Sequence, residues 1–181
     1  YTLLRNLWIS LSSGALVVLL TLIFSTCAAY FFARLKFPYK PVLMAYIMGC
    51  MMIPEQVVIV PTFLVAMALG LVNTFWALVI PFYASPFVTF ALAQFLSDIP
   101  YELDEAAIMD GANPLQVLYL VLVPNAVPAL MTVGLLEFQY IWNNFYWPLV
   151  AITYKRDLPI QVAVSGLIVE VNPQWSRVLA G

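Results

Sequence analysis

The sequence predicts an all-α protein that crosses a membrane several times, and three observations lead to that class. Hydrophobic residues make up 64% of the 181 positions and charged residues only 9%, which leaves too little polar surface to cover a water-soluble domain. The apolar residues form stretches close to the about 20 residues that a membrane-spanning helix needs. The charged residues are concentrated between those stretches. We therefore expect a polytopic transmembrane helix bundle, with residues 1–181 forming one domain.

The composition also argues against several classes of function. The chain contains no histidine, the commonest general base and metal ligand. Cys27 and Cys50 lie inside apolar segments, and although they could pair or bind a metal, neither has a ligand partner nearby, so two inert thiols are the favoured interpretation. No paired-carboxylate motif or nucleophile elbow is present. We expect no enzyme activity, no metal, no cofactor and no nucleic-acid partner.

The first two spans are predicted at about residues 8–32 and 42–66. The first is uncharged and is followed by a basic cluster, Arg34, Lys36 and Lys40, which the positive-inside rule places in the cytoplasm. The second is interrupted near its middle by Pro54-Glu55-Gln56. Because a carboxylate is costly against lipid, Glu55 should face protein or a water-filled path. A kinked helix with Glu55 satisfied by a neighbour and a role in a substrate pathway both remain open.

The third and fourth spans are predicted at about residues 75–96 and 125–141. An interfacial helix should precede the fourth span, because Pro124 and Pro128 interrupt a continuous helix. Residues 142–175 are expected to form an extracytoplasmic loop with one interfacial or re-entrant piece, since no uncharged run in them is long enough to cross. The aromatic run at residues 140–147 is typical of an interfacial belt, with a sugar-stacking role as the alternative.

The connector at about residues 97–123 is acidic. It contains five acidic residues and no basic one: Asp98, Glu102, Asp104, Glu105 and Asp110. Pro100, the early acidic residues and Gly111 predict a short helix with a left-handed C-cap. Ile99, Leu103, Ala106 and Ala107 should share one face, on which the alanines allow another surface to approach closely. Asn113-Pro114 should begin a second helix.

Charge and spacing in this connector carry the functional hypothesis. The connector contributes −5 while the rest of the chain is +3, so a basic partner is expected. The positive-inside count alone does not fix the orientation, because Lys155 and Arg156 fall in the predicted outer loop, and we give more weight to the short cluster after the first span. A fixed spacing also runs through the connector: Glu105-Ala106-Ala107, Gly111, Val121, Val123 and Pro124.

This spacing resembles the EAA signature of permease subunits of bacterial binding-protein-dependent ABC importers. Flanking segments are similar to the carbohydrate-type branch, in particular the second permease of maltose and glycerol-phosphate systems. They are residues 29–38, Ile53-Pro54, residues 69–74, residues 99–105 and Trp142-Asn143. The resemblance implies the type I ABC importer permease fold, which usually has six spans, so the first span and most of the last are missing here. The family often has a basic residue between Gly111 and Pro124, and this chain has none.

The resemblance further implies a coupling helix that docks in a cleft of a cytosolic ATPase. Glu105 would accept a hydrogen bond from a basic residue in that cleft, and Gly111 would make the turn. The remaining coupling positions are Ala106, Ala107, Asp110 and Pro124. ATP would be bound and hydrolysed by that ATPase dimer and not by the permease. The other implied partners are a second permease subunit, an extracytoplasmic solute-binding protein and the lipid bilayer of a bacterial plasma (inner) membrane. A heterodimer of two different permeases is favoured over two identical ones, although the sequence does not decide between them.

The predicted function is therefore membrane permeation in an ATP-driven sugar importer. The polar residues expected to line the substrate path are Glu55, Gln56, Glu137, Trp142 and Asn143, because their polarity is expensive against lipid. A permease for another solute, such as a peptide, phosphate, a metal or a polyamine, is the first alternative. A secondary transporter is a weaker one, since it would need coupling carboxylates and usually inverted repeats.

Overall fold

A computed structural model describes residues 2–154 and 157–171, and every regular element in those ranges is helical. The α-helices are α1 (Thr2–Arg34), α2 (Lys40–Met51), α3 (Glu55–Ala68), α4 (Pro86–Asp98), α5 (Glu102–Met109), α6 (Pro114–Gln116), α7 (Val123–Asn125), α8 (Val127–Asn143), α9 (Tyr146–Ala151) and α10 (Ile160–Val171). Two 3-10 turns, Phe75–Leu78 and Ile80–Phe82, lie between α3 and α4. A π-helix, Val117–Leu122, joins α6 to α7.

One helix, Leu3–Arg34, is long and apolar enough to cross a membrane by itself. Three further helix pairs pass the same test only if each bent pair is one span, which gives up to four spans in the described part of the chain. The helix breaks follow the prolines. Pro54 lies between α2 and α3, and Pro81 lies in the 3-10 turns that precede α4. Proline lacks the N–H that a continuous helix needs, so it favours a break at these two places.

The chain divides into two compact units. Unit 1 consists of Tyr1–Val17, Glu55–Pro81 and Gln139–Gly181, and unit 2 consists of Val18–Pro54 and Phe82–Phe138. The connector with α5 belongs to unit 2. Residues 155–156 and 172–175 of the predicted outer loop lie outside the described residues; the remainder of that loop contains α9 and α10.

Unit 2 is built around a cluster of buried apolar side chains from α1, α4, the π-helix and α8. Its fully buried members include Ala29, Leu92, Leu96, Leu118 and Leu122. Small and hydroxyl residues on α1 allow close packing, as is usual in membrane helices. Thr21 donates to the Phe82 carbonyl over 3.2 Å and Ser25 accepts from Thr89 over 3.0 Å. A Cβ on Gly134 of α8 would lie 3.3 Å from Leu22 Cδ1, so α8 approaches α1 closely there.

Unit 1 is held together by polar contacts at the ends of its helices. The Trp147 indole is 2% exposed and donates to the Ala77 carbonyl over 2.8 Å. Asn73, at a positive φ of 63°, joins its turn to the end of α9 through both its backbone N–H and its side-chain oxygen. Ser10 of α1 accepts from the Ile160 N–H at the start of α10 over 2.8 Å. The buried Trp147 therefore has a structural role, unlike an interfacial belt residue.

Candidate functional site

Helix α5 is short, and its C-terminal end is defined by backbone hydrogen bonds. Its first turn contains Glu102, Asp104 and Glu105, whose charges favour the positive end of the helix. Gly111 follows it with φ +88°, as the sequence predicts. The Gly111 N–H donates to the Ile108 carbonyl and the Ala112 N–H to the Ala107 carbonyl, each over 2.9 Å. This is a Schellman motif, which satisfies the last carbonyls and stops the helix.

The next helical segment begins immediately after this stop. The Asn113 side chain accepts from the Gln116 N–H over 3.0 Å, and the Gln116 side chain accepts from the Asn113 N–H over 2.8 Å. Together they form a capping box, with Pro114 in the first helical position. Only Asp110–Asn113 separates α5 from α6, so the turn between the two helices is specified at both ends.

One face of α5 is turned toward the rest of unit 2. Asp104 is 3% exposed, and Ala107 packs against the buried apolar cluster. Arg34, the last residue of α1, provides the partner for Asp104: Arg34 Nε lies 2.6 Å from Asp104 Oδ2, and Nη2 donates to Oδ1 over 3.3 Å. The exposed fractions of the two side chains are 6% and 4%. This ion pair is therefore enclosed by protein.

Arg34 also contacts the segment that leads into α5. Its Nη2 donates to the Ile99 carbonyl over 3.0 Å, and Ile99 is the C-cap residue that follows α4. Its guanidinium carbon lies 5.6 Å from the centroid of the Tyr101 ring, within the range of a cation–π contact. A single guanidinium thus holds the end of α1, the end of α4 and the inward face of α5 together.

The opposite face of α5 is exposed. Glu102, Glu105, Ala106 and Met109 follow the i, i+3, i+4, i+7 spacing of one helical face, and all four are exposed, with Met109 87% exposed. Among the described residues, neither Glu102 nor Glu105 forms an ion pair. This outward face combines two unpaired carboxylates with a protruding thioether side chain.

The predicted coupling residues lie partly on the exposed surface and partly on the inward face of α5. Glu105, Ala106, Asp110, Gly111 and Pro124 are exposed, and Ala107 is partly buried. The residues predicted to share one face of α5 have two different surroundings: Leu103 is 41% exposed and Ala106 is exposed, while Ala107 packs inward on the side of Asp104. Arg34 satisfies the Asp104 charge, which an acid facing a core requires. An internal cation also neutralises one of the five connector charges.

Sequence reasoning missed the pairing of Arg34 with Asp104. In the sequence, Arg34 belongs to a basic cluster and Asp104 to an acidic one. The available signal was the helical spacing from Asp104 to Ala107, which puts an acid on the same face as a small apolar residue. The same pairing of an acid with an alanine occurs in Glu102 and Ala106 on the exposed face. The spacing therefore predicts neither the burial of Asp104 nor its partner Arg34.

The predicted path residues divide in a similar way. In unit 1, the Glu55 carboxylate accepts from the Tyr140 hydroxyl over 2.7 Å and from Asn144 Nδ2 over 2.9 Å. Gln56 and Asn143 are exposed, and Trp142 is half-buried. Tyr140 and Asn144 were not among the predicted site residues. They lie in the aromatic run that the sequence analysis singled out, on and just after the last turns of α8.

Glu137 has different surroundings, in unit 2. It is 5% exposed, and its carboxyl group lies beside the Ser85 side chain. Ser85 is the N-cap of α4, where its Oγ also accepts from the Val88 N–H over 3.4 Å. A carboxyl group at this helix start has favourable electrostatics. Its burial within the chain favours a structural anchor over a residue that lines a water-filled path.

Apolar exposed helices, breaks between them and a polar connector are the features of a polytopic membrane protein. The chain belongs to the family of binding-protein-dependent transport system inner membrane components, because the model of that family matches residues 23–173. The match includes the whole of α5 and its flanking helices.

Individual relatives agree with this family. The chain is 31% identical over 169 residues, 92% of its length, to the probable ABC transporter permease protein YurM of Bacillus subtilis, and it covers 56% of that protein. It is 33% identical to the trehalose transport system permease protein SugB of Mycobacterium tuberculosis, covering 86% of this chain and 58% of that one. The chain therefore spans less than two thirds of the curated relatives it matches.

A solved structure has the same fold. It is the crystal structure of a bacterial ABC transporter involved in the import of the acidic polysaccharide alginate. The TM-score is 0.87 at 27% sequence identity, with 99% of this chain and 64% of that chain covered. The predicted all-α permease fold is confirmed by this similarity.

Proposed function

We propose that this chain is part of the permease subunit of an ATP-driven sugar importer of a bacterial plasma membrane. The observation that carries the proposal is the outward face of α5, a rigidly capped surface with two unpaired carboxylates. Family membership supports a binding-protein-dependent transporter, and the trehalose and alginate systems among the similar proteins favour a carbohydrate substrate. The proposed partners are an ATPase dimer, a second permease subunit and a solute-binding protein.

The outward face of α5 is the proposed docking surface for the ATPase. Glu105 and Ala106 would contact a basic cleft there, Asp110 and Gly111 would form the turn at its edge, and Ala107 would hold α5 against unit 2. Pro124 lies farther along, in α7, which follows the π-helix. Closure of the ATPase upon ATP binding would displace α5 and so reorient the membrane helices. ATP would be bound and hydrolysed only by that partner.

A contact within unit 2 supports the proposed orientation of the protein. Because Arg34 bonds Asp104, the end of α1 and the acidic connector lie at the same end of this unit. Lys36 and Lys40 follow Arg34 directly, and the positive-inside rule assigns such a short basic cluster to the cytoplasm. The proposed docking surface would then face the cytosol, where an ATPase is available.

The substrate path is proposed to involve the surface around Glu55, with Gln56, Trp142 and Asn143. A carboxylate next to aromatic side chains is chemically suited to the hydroxyl groups and apolar faces of a sugar. The Glu55 carboxylate accepts hydrogen bonds from Tyr140 and Asn144. A sugar hydroxyl would replace one of these donors or form an additional hydrogen bond. Glu137 is retained in the proposed set only as a supporting residue, because it is buried.

Reconstitution of the full-length parent protein with its companion subunits tests this function. Vesicles that contain the complex should transport a sugar only when ATP is present on the side of the membrane where the ATPase lies. A sugar-loaded binding protein should stimulate ATP hydrolysis. Trehalose and alginate oligosaccharide are the first probes, beside a peptide, phosphate and a metal ion as controls. Stimulation by a non-sugar ligand alone would support the alternative permease, and uptake driven by an ion gradient without ATP would support a secondary transporter.

A further inference from the structure

We infer that the Arg34–Asp104 ion pair is the link through which a displacement of α5 reaches α1, so that Arg34 and Asp104 are positioning residues for transport. The inference rests on the proposed function, because it presupposes that α5 is moved by a partner. It assigns a role to two residues that lie outside the predicted coupling set. Neither reaches the outward face of α5 or the surface around Glu55.

The geometry distinguishes this pair from the apolar contacts of α5. Ala107 and Ala112 touch the buried cluster through methyl groups, and such contacts are non-directional, so they permit sliding and rotation. The guanidinium instead approaches both oxygens of Asp104, at 2.6 Å and 3.3 Å. Of the two contacts, the one from Nη2 to Oδ1 has hydrogen-bond geometry, and the same Nη2 donates to the Ile99 carbonyl. A planar group that donates in these fixed directions fixes an angle as well as a distance. The pair therefore transmits rotation of α5, which the alanine contacts would not.

The burial of the pair points in the same direction. A buried ion pair is weak evidence for stability, because well-packed apolar side chains at the same positions are often at least as stable. A better-attested role of such a pair is to favour one relative arrangement of the helices that carry it. Here the geometry defined is that of the C-terminal residue of α1, a single helix of 33 residues, relative to α5.

The third contact of Arg34 adds the C-terminal end of α4. The Ile99 carbonyl, which follows the last residue of α4, accepts from the same Nη2 that reaches Asp104. The α4–α5 connection, residues 99–101, is therefore fixed to α1 at Ile99 and, through its aromatic ring, at Tyr101. Arg34 therefore contacts the α4–α5 connection as well as α5 itself.

The test compares the access of a reporter cysteine before and after ATP-driven closure. In full-length protein with Cys27→Ala and Cys50→Ala, Gln56→Cys is labelled with a water-soluble maleimide in the assembled transporter. Labelling rates are measured without nucleotide and after trapping with ATP and vanadate. In the parent transporter, which keeps Arg34 and Asp104, we expect the labelling rates without nucleotide and after trapping to differ. In the double variant Arg34→Met/Asp104→Leu the two labelling rates should be nearly equal, although the ATPase still binds and traps nucleotide. Apolar replacement of both partners avoids leaving one buried charge alone.

A second variant decides the outcome if the double variant does not assemble. Arg34→Lys keeps the charge but cannot hold Asp104 and the Ile99 carbonyl with one planar group, so it should give a smaller rate difference than the parent. An unchanged rate difference in whichever variant assembles would overturn the inference. Equal rates in the parent itself, with normal vanadate trapping, would instead contradict the proposed function. The two failures are therefore distinguishable.

Discussion

The two faces of α5 show how one short helix separates two tasks. Asp104 and Glu105 are neighbours in the sequence, yet Asp104 is 3% exposed and paired with Arg34, while Glu105 is exposed and forms no ion pair among the described residues. One residue along an α-helix is a rotation of about 100°, which is enough to move a carboxylate from the interior to the surface. Equal charge in the sequence therefore implies neither equal surroundings nor an equal role.

The largest expected effect is on the inward face. Asp104→Ala removes the partner of a buried guanidinium, and breaking a buried ion pair costs about 3–5 kcal/mol. The matched change on the outward face, Glu105→Ala, should alter stability by about 0.5 kcal/mol or less. Thermal unfolding of the purified full-length protein in detergent measures both. Equal losses in the two variants would mean that the faces do not differ as described.

A smaller effect is expected from the two alanines. Ala107→Leu adds volume where α5 packs against the buried cluster, and overpacking costs about 1–3 kcal/mol. Ala106→Leu adds the same atoms on the exposed face and should be close to neutral. The same unfolding measurement applies. A larger loss in Ala106→Leu than in Ala107→Leu would show that the rotation of α5 is misassigned.

The smallest of the three effects concerns the end of α5. Gly111 has φ +88° and open space around the position of a Cβ, so Gly111→Ala creates backbone strain of about 1–2 kcal/mol without a clash. Gly49 also has open space but lies inside α2 without a positive φ. Gly49→Ala should therefore stabilise by about 0.5–1 kcal/mol. Opposite signs in the two glycine variants would support the left-handed cap; destabilisation in both would contradict it.

Local rules predicted much of this region. Pro100, the acidic first turn and Gly111 define a short helix, and Asn113-Pro114 defines the next start; both follow from interactions within a few residues. The fold class followed from composition and span length. These features depend on neighbouring residues, which the sequence displays directly.

Contacts between distant residues could not be predicted in the same way. Arg34 and Asp104 are 70 positions apart, and Glu55 and Asn144 are 89 apart; no periodic pattern identifies such partners. Glu137 is buried, and the Ser85 side chain beside it comes from the start of another helix. In each case tertiary packing determines which polar residue is satisfied internally and which remains available. The proposed roles of the coupling and path residues remain predictions.

The most direct test of the docking proposal is the charge reversal Glu105→Lys in the assembled transporter. Asp98→Lys is the matched control, since it reverses another exposed acid of the connector outside α5. We expect Glu105→Lys to leave the membrane domain folded but to abolish the stimulation of ATP hydrolysis by the loaded binding protein, because a lysine would face a basic cleft. Asp98→Lys should retain most of that stimulation. An assembled Glu105→Lys transporter with unchanged stimulation would contradict the assignment of the outward face of α5 as the docking surface.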